Sequence, residues 1–116
     1  GDFREEEAHA AALQMLRTRK QPTALFVANN LMLIGVMRAI TELALRVPED
    51  ISVICIDDFA WAAAFQPALT VVKQPIEAMA NSAFGLLLHR IKGEAGKIRR
   101  VTHPPQLVVR QSCAKL

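Results

Sequence analysis

Cysteine is scarce in this chain. Two residues, Cys55 and Cys113, among 116 do not make a disulfide framework. Cys55 stands inside an apolar, strand-like run, where a thiol behaves as a small buried hydrophobe. His9, His89 and His103 have no metal-ligand spacing with one another or with the cysteines. Ser52, Ser82 and Ser112 lack the setting of a nucleophile elbow. There is no glycine-rich phosphate loop. Asp57 and Asp58 are adjacent at a strand end, so their side chains point to opposite sides and are not read as a pair sharing a proton. The sequence therefore shows no catalytic set and implies no metal or cofactor, and the chain is not read as an enzyme.

Long apolar runs are missing too. The hydrophobic fraction is 52% against 22% charged, above the share usual for a soluble domain. Yet no stretch approaches the ~20 apolar residues of a membrane span. The excess is expected in a core, a subunit interface, or both. The acidic opening from Gly1 to Glu7 is not a secretory signal, so a cytoplasmic location is expected. Its abrupt start suggests a piece of a longer protein. The formal charge is only +3, and Lys92, Lys97, Arg99 and Arg100 form the one basic cluster. That cluster reads as a solvated loop. Zinc-finger spacing, an aromatic-basic stacking pattern and a helix-turn-helix pair are all lacking, so direct contact with DNA is not expected.

What is present reads as alternating helices and strands. Asp2 is a good N-cap with Glu5 three residues on, and Glu5, Glu6 and Glu7 suit the positive end of a helix dipole. Ala8, Ala11, Ala12, Met15 and Leu16 follow helical spacing, which predicts a helix over residues 3–19. Residues 24–28 form a continuous apolar run, as in a strand covered on both faces. Asn29 or Asn30 then caps a helix over 31–45. Leu33, Val36, Met37, Ile40 and Ala44 make one apolar face of it, and Met32, Ala39 and Leu43 another. A helix apolar around most of its girth is buried on more than one side, here the sheet and a second subunit.

A turn over residues 47–50 leads to a second buried strand, 51–56. A single helical connection makes these two strands parallel, with a right-handed crossover. A helical turn over 59–65 and a short strand over 69–72 follow. Pro75 at N1 opens a long helix, 76–92, which Gly93 ends. Short strands are expected over 100–103 and 106–111. The fold class is α/β with a parallel sheet.

In such a sheet, ligands bind beyond the carboxyl ends of the strands. Asn29 follows the first strand and Asp57 the second, so both belong to that edge. The first helix begins on the same side, which adds Phe3. An apolar ring beside two hydrogen-bonding groups suits a sugar or a nucleobase. Each residue also has a plainer role: Asn29 as a helix cap, Asp57 as a cap or turn residue, Phe3 as packing. Trp61, the one tryptophan, fits packing at a subunit contact with Phe65 better than a cleft wall.

Several segments, in order, resemble the LacI family of bacterial transcription regulators. They are Gly1-Asp2-Phe3, the run from Pro22 to Asn30, the run from Arg46 to Ile54, Asp57-Asp58, Pro67 to Thr70, Gln74-Pro75, and Leu107 to Ser112. The resemblance spans nearly the whole chain. It implies a parallel-sheet three-layer sandwich of the type I periplasmic-binding-protein kind, present here incompletely and mostly as its C-terminal lobe. Residues 1–72 and 105–112 would form that lobe, and residues 73–104 would belong to the N-terminal lobe, whose sheet the helix over 76–92 would lack.

The resemblance also implies ligand contacts at Phe3, Asn29 and Asp57. It implies a homodimer through the second helix and the turn around Phe65, and DNA binding only through an N-terminal headpiece absent from this chain. Cys55 stands where the family usually has glycine, and Asn30 where it often has aspartate. The implied function is effector sensing for a transcription regulator, with a sugar or related polar molecule as the effector. The alternative is a periplasmic-type sugar-binding protein for transport or chemotaxis.

Overall fold

The computed structural model describes residues 4–93 and 96–115. The chain divides into two units, Gly1–Lys73 with Leu107–Leu116, and Gln74–Gln106. In the first unit, α1 (Glu5–Leu16) buries Ala8, Ala12 and Leu16. It is shorter than the sequence pattern predicts. Its N-cap is Arg4, with no side-chain cap, and Glu5 is its first helical residue. Asp2, the expected cap, lies outside the described residues. At the other end Arg17 leaves the helix to bond Glu42 Oε1 at 3.1 Å, and the Thr18 hydroxyl donates to Met15 O at 2.9 Å.

Strand β1 (Ala24–Val27) alternates exposed and buried residues. Leu25 and Val27 face the core, whereas Phe26 is 62% exposed. The expectation of cover on both faces is thus corrected: β1 is an edge strand with one face open among the described residues. Helix α2 (Asn30–Glu42) buries Leu33, Gly35, Val36, Ala39 and Ile40. It stops short of the expected residue 45 because the backbone turns at Ala44, whose φ is 53°. That left-handed conformation cannot continue a right-handed helix. Helices α1 and α2 pack closely where Gly35 meets the backbone of Glu5 and His9. Arg38 on α2 reaches back to Glu5 and Glu6 at 2.7 Å each.

A turn clamped by Arg46 and Asp50 leads into β2 (Ser52–Ile56). Val53 and Cys55 are fully buried, as is Ile51 just before the strand. A 3₁₀ turn at Ala60–Ala63 precedes β3 (Thr70–Lys73). The sheet has the order β1-β2-β3-β4, with β4 spanning Gln106–Val108. The pairs β1–β2 and β2–β3 are parallel; for β1–β2 this is what the single-helix connection requires. The core gathers Leu16, Leu25, Val27, Leu33, Ile51, Val53, Leu69 and Val71, among others. The final segment returns through Ser112, which is fully buried.

The second unit consists mainly of α3 (Ile76–Ile91). Pro75 stands at its N-cap rather than at N1. Gly93, with φ 81°, lies just past its end, the position where glycine meets no Cβ penalty. No residue of α3 is buried, and Ile76, Phe84, Leu87 and Ile91 are each more than half exposed. Among the described residues this helix has no apolar cover. Residues 100–103 form no strand, contrary to expectation: Val101 and Thr102 favour strands but have no strand to pair with among the described residues. His103 instead bonds the Ser82 hydroxyl through Nε2 at 2.9 Å. Lys92, Lys97, Arg99 and Arg100 are exposed.

Candidate functional site

The carboxyl edge of the sheet is set by register. Val27 of β1 lies opposite Cys55 of β2, and Cys55 lies opposite Val71 of β3. Asn29 is two residues beyond Val27, and Asp57 two beyond Cys55. Both therefore stand at the same level on the same rim, at the ends of adjacent strands, which are ~4.8 Å apart in a sheet. Phe3, the third expected contact, lies outside the described residues.

Asn29 is half-buried and is itself the N-cap of α2. Its backbone is extended, and its Oδ1 accepts the Met32 N–H at 2.8 Å. The cap uses the amide oxygen alone; its NH₂ group takes no part, so the residue can cap α2 while offering donors to the rim.

Asp57 is also half-buried. Its N–H donates to Val72 O at 3.0 Å, which extends the pairing of β2 with β3. Its φ is 77°, a left-handed conformation that Asp tolerates better than most non-glycine residues. Next door, Asp58 takes a different partner. Its Oδ1 accepts from Arg110 Nη2 at 2.8 Å, with both side chains less than a fifth exposed, and Lys73 Nζ lies 4.0 Å from Oδ2. Arg110 Nη1 donates to Leu69 O at 2.8 Å. Asp58 is thus held in an ion pair.

The Cys55 thiol lies beneath this rim and is fully buried. Burial, and then the negative charge of Asp57, push its pKa up to about 12. The thiol therefore stays protonated and donates to Ile56 O at 3.0 Å. Beyond Asp58, Phe59 and Trp61 stack with ring centroids 3.8 Å apart, and Trp61 lies 5.3 Å from Phe65. All three aromatics pack against the core, so Trp61 is a packing residue. The sequence reading did not single out Arg110 or Phe59. Phe59 could have been noticed from its place beside Asp58, whereas nothing local marks Arg110 as the partner of an acid 52 residues away.

The other side of α2 borders an open concavity of about 630 Å³, lined by Ile34, Met37, Arg38, Thr41, Glu42 and Phe65, together with His9 and Gln66. Its floor is apolar. Its edge carries both signs of charge, because Glu42 is bonded by His9 at 3.0 Å and by Arg17 at 3.1 Å.

Residues 1–113 match the family of periplasmic binding protein-like domains. The HTH-type transcriptional repressor PurR of Proteus mirabilis (strain HI4320) is 41% identical over 114 residues, covering 98% of this chain and 33% of that protein. The chain spans about a third of the length of the curated relatives it matches. Among solved structures, a Lac repressor dimer bound to operator and the anti-inducer ONPF matches with a TM-score of 0.84 and 36% identity, over 99% of this chain and 40% of that one. A LacI family transcriptional regulator from Enterococcus faecium with bound ribose matches with a TM-score of 0.84 and 26% identity, over 98% of this chain and 42% of that one.

Proposed function

We propose, for a chain that belongs to the periplasmic binding protein-like domain family and is similar to part of LacI-family repressors, that it is the effector-sensing and dimerisation module of a transcription regulator. The observation that carries this reading is the rim itself: Asn29 and Asp57 at one level, on neighbouring parallel strands. A carboxylate accepts hydrogen bonds from two hydroxyls of a sugar at once. The Asn29 NH₂ group would donate to a ring or hydroxyl oxygen. Phe3 would supply the apolar face against which a sugar ring stacks. The ribose-bound structure of a relative supports a sugar or related polar molecule as the effector.

In this reading the first unit is the C-terminal lobe and the second unit a segment of the other lobe. The effector binds at the rim of the first unit and favours one state of the regulator. It shifts that equilibrium only by its difference in affinity for the two states. DNA is contacted by a headpiece outside this chain, in the cytoplasm. The concavity beside α2 and Phe65 meets a second copy: an apolar floor with both charge signs at its edge suits a two-fold contact in which one patch pairs with itself.

The test is operator binding by the full regulator, measured with and without each member of a sugar panel. A sugar that binds the protein and alters its operator affinity is expected. A protein that binds sugar but has no affinity for any DNA would instead be a transport-type binding protein.

A further inference from the structure

We infer that Arg110 is a positioning residue for the Asp57 carboxylate, acting through Asp58. The inference builds on the reading of Asp57 as a ligand contact. Asp57 holds a left-handed backbone, with φ 77°, which Asp tolerates better than most residues but which still costs energy that its neighbours must offset. One neighbour is β3, through the hydrogen bond from the Asp57 N–H to Val72 O at 3.0 Å. Another is Asp58, whose direction is set by the Arg110 guanidinium at 2.8 Å.

The guanidinium is a planar fork, and this one joins two elements. Nη2 holds Asp58 just after β2, and Nη1 holds the Leu69 carbonyl just before β3 at 2.8 Å. The Arg110 backbone N–H in turn donates to the Thr70 hydroxyl at 2.9 Å. Arg110 therefore fixes the end of β2 against the start of β3 and prevents the Asp57-Asp58 step from relaxing. The pair is mostly out of water, with side chains 18% and 17% exposed, so salt screens it little. Lys73, 4.0 Å from Asp58 and 55% exposed, cannot substitute, because a single ammonium on a flexible stem does not hold two acceptors in fixed geometry. The chain leaves the first unit after Lys73 and re-enters it at Leu107. The returning segment thus carries the group that orients the rim.

Amide hydrogen exchange followed by NMR on the 116-residue chain tests this without any ligand. Asp58→Asn and Arg110→Gln should each speed exchange at the Asp57 amide by about tenfold, as expected of a local opening. Exchange at Leu33 and Leu43, which are bonded within and at the end of α2, should stay within about twofold. If Arg110 acts through Asp58, the double variant should exchange no faster than the faster single variant. Should Arg110→Gln fail to fold, Arg110→Lys keeps the charge but loses the fork, and is held to the same limits.

Unchanged exchange at Asp57 would overturn the inference. So would equal acceleration at Leu33, which marks general loosening, or additive effects in the double variant. A ligand that binds equally well without the Asp57 carboxylate would strike the ligand reading, and leave the Arg110–Asp58–Asp57 coupling to be judged by exchange alone.

Discussion

Thr70 gives its backbone N–H to the hydroxyl of Ser112, 42 residues away, at 2.8 Å and fully out of water. The same hydroxyl donates to Val53 O, and the Ser112 carbonyl accepts the Val53 N–H at 2.8 Å. One side chain therefore ties the returning segment to both central strands. Ser112→Ala would leave the Thr70 amide buried without its acceptor. Val53 O suffers less, because the Cys113 thiol also reaches it at 3.4 Å. The expected loss is about 1–3 kcal/mol, read from urea unfolding of the two proteins. Unchanged stability would mean that water or a shifted strand satisfies Thr70.

Gly35 and Gly85 should respond to alanine with opposite signs. Alanine is favoured in a helix by about 1 kcal/mol over glycine. At Gly85, on α3, a Cβ would meet nothing within 4 Å, so Gly85→Ala should gain up to about that amount. At Gly35 a Cβ would collide with the Glu5 carbonyl oxygen and lie 2.8 Å from the His9 nitrogen. Both are backbone atoms, which cannot swing aside. Gly35→Ala should therefore push α1 away and cost about 1–3 kcal/mol net. Thermal unfolding of both variants checks the pair of signs.

The turn before β2 carries an acid-sensitive contact. Arg46 grips Asp50 through its backbone N–H and two guanidinium nitrogens, at 2.8–2.9 Å. These hydrogen bonds hold the Asp50 carboxyl down at about 2, against an ordinary 3.8. The folded state thus binds the Asp50 proton less readily than the unfolded chain. Its contribution is present above the ordinary value and is lost as pH falls through about 2. Wild type should lose stability relative to Asp50→Asn between those two values. Parallel stability curves for the two proteins over that window would contradict it.

The sheet edge was legible because β1 and β2 are apolar runs that stop at polar groups. Asn29 and Asp57 could be placed there without knowing the register. What sequence could not supply was long-range pairing. Nothing in the local pattern joins Arg110 to Asp58, or Ser112 to Thr70, because neither pair shares an element. The helix begins at Glu5, two residues later than an N-cap at residue 2 would start it, and no local pattern marks Arg4 as its cap. Phe26 breaks the both-faces reading of β1 because burial of an edge strand depends on elements elsewhere. Residues 100–103 show the same limit: strand propensity without a partner produces no strand.

The rim at Asn29 and Asp57 is proposed to receive a small polar ligand. The deciding experiment is calorimetry of the full-length protein against a sugar panel, repeated on Asp57→Ala. A carboxylate that accepts ligand hydroxyls contributes about 1.5–3 kcal/mol, so the variant should bind its sugar at least about tenfold more weakly. Equal affinity in the two proteins, with the variant folded, would contradict the account.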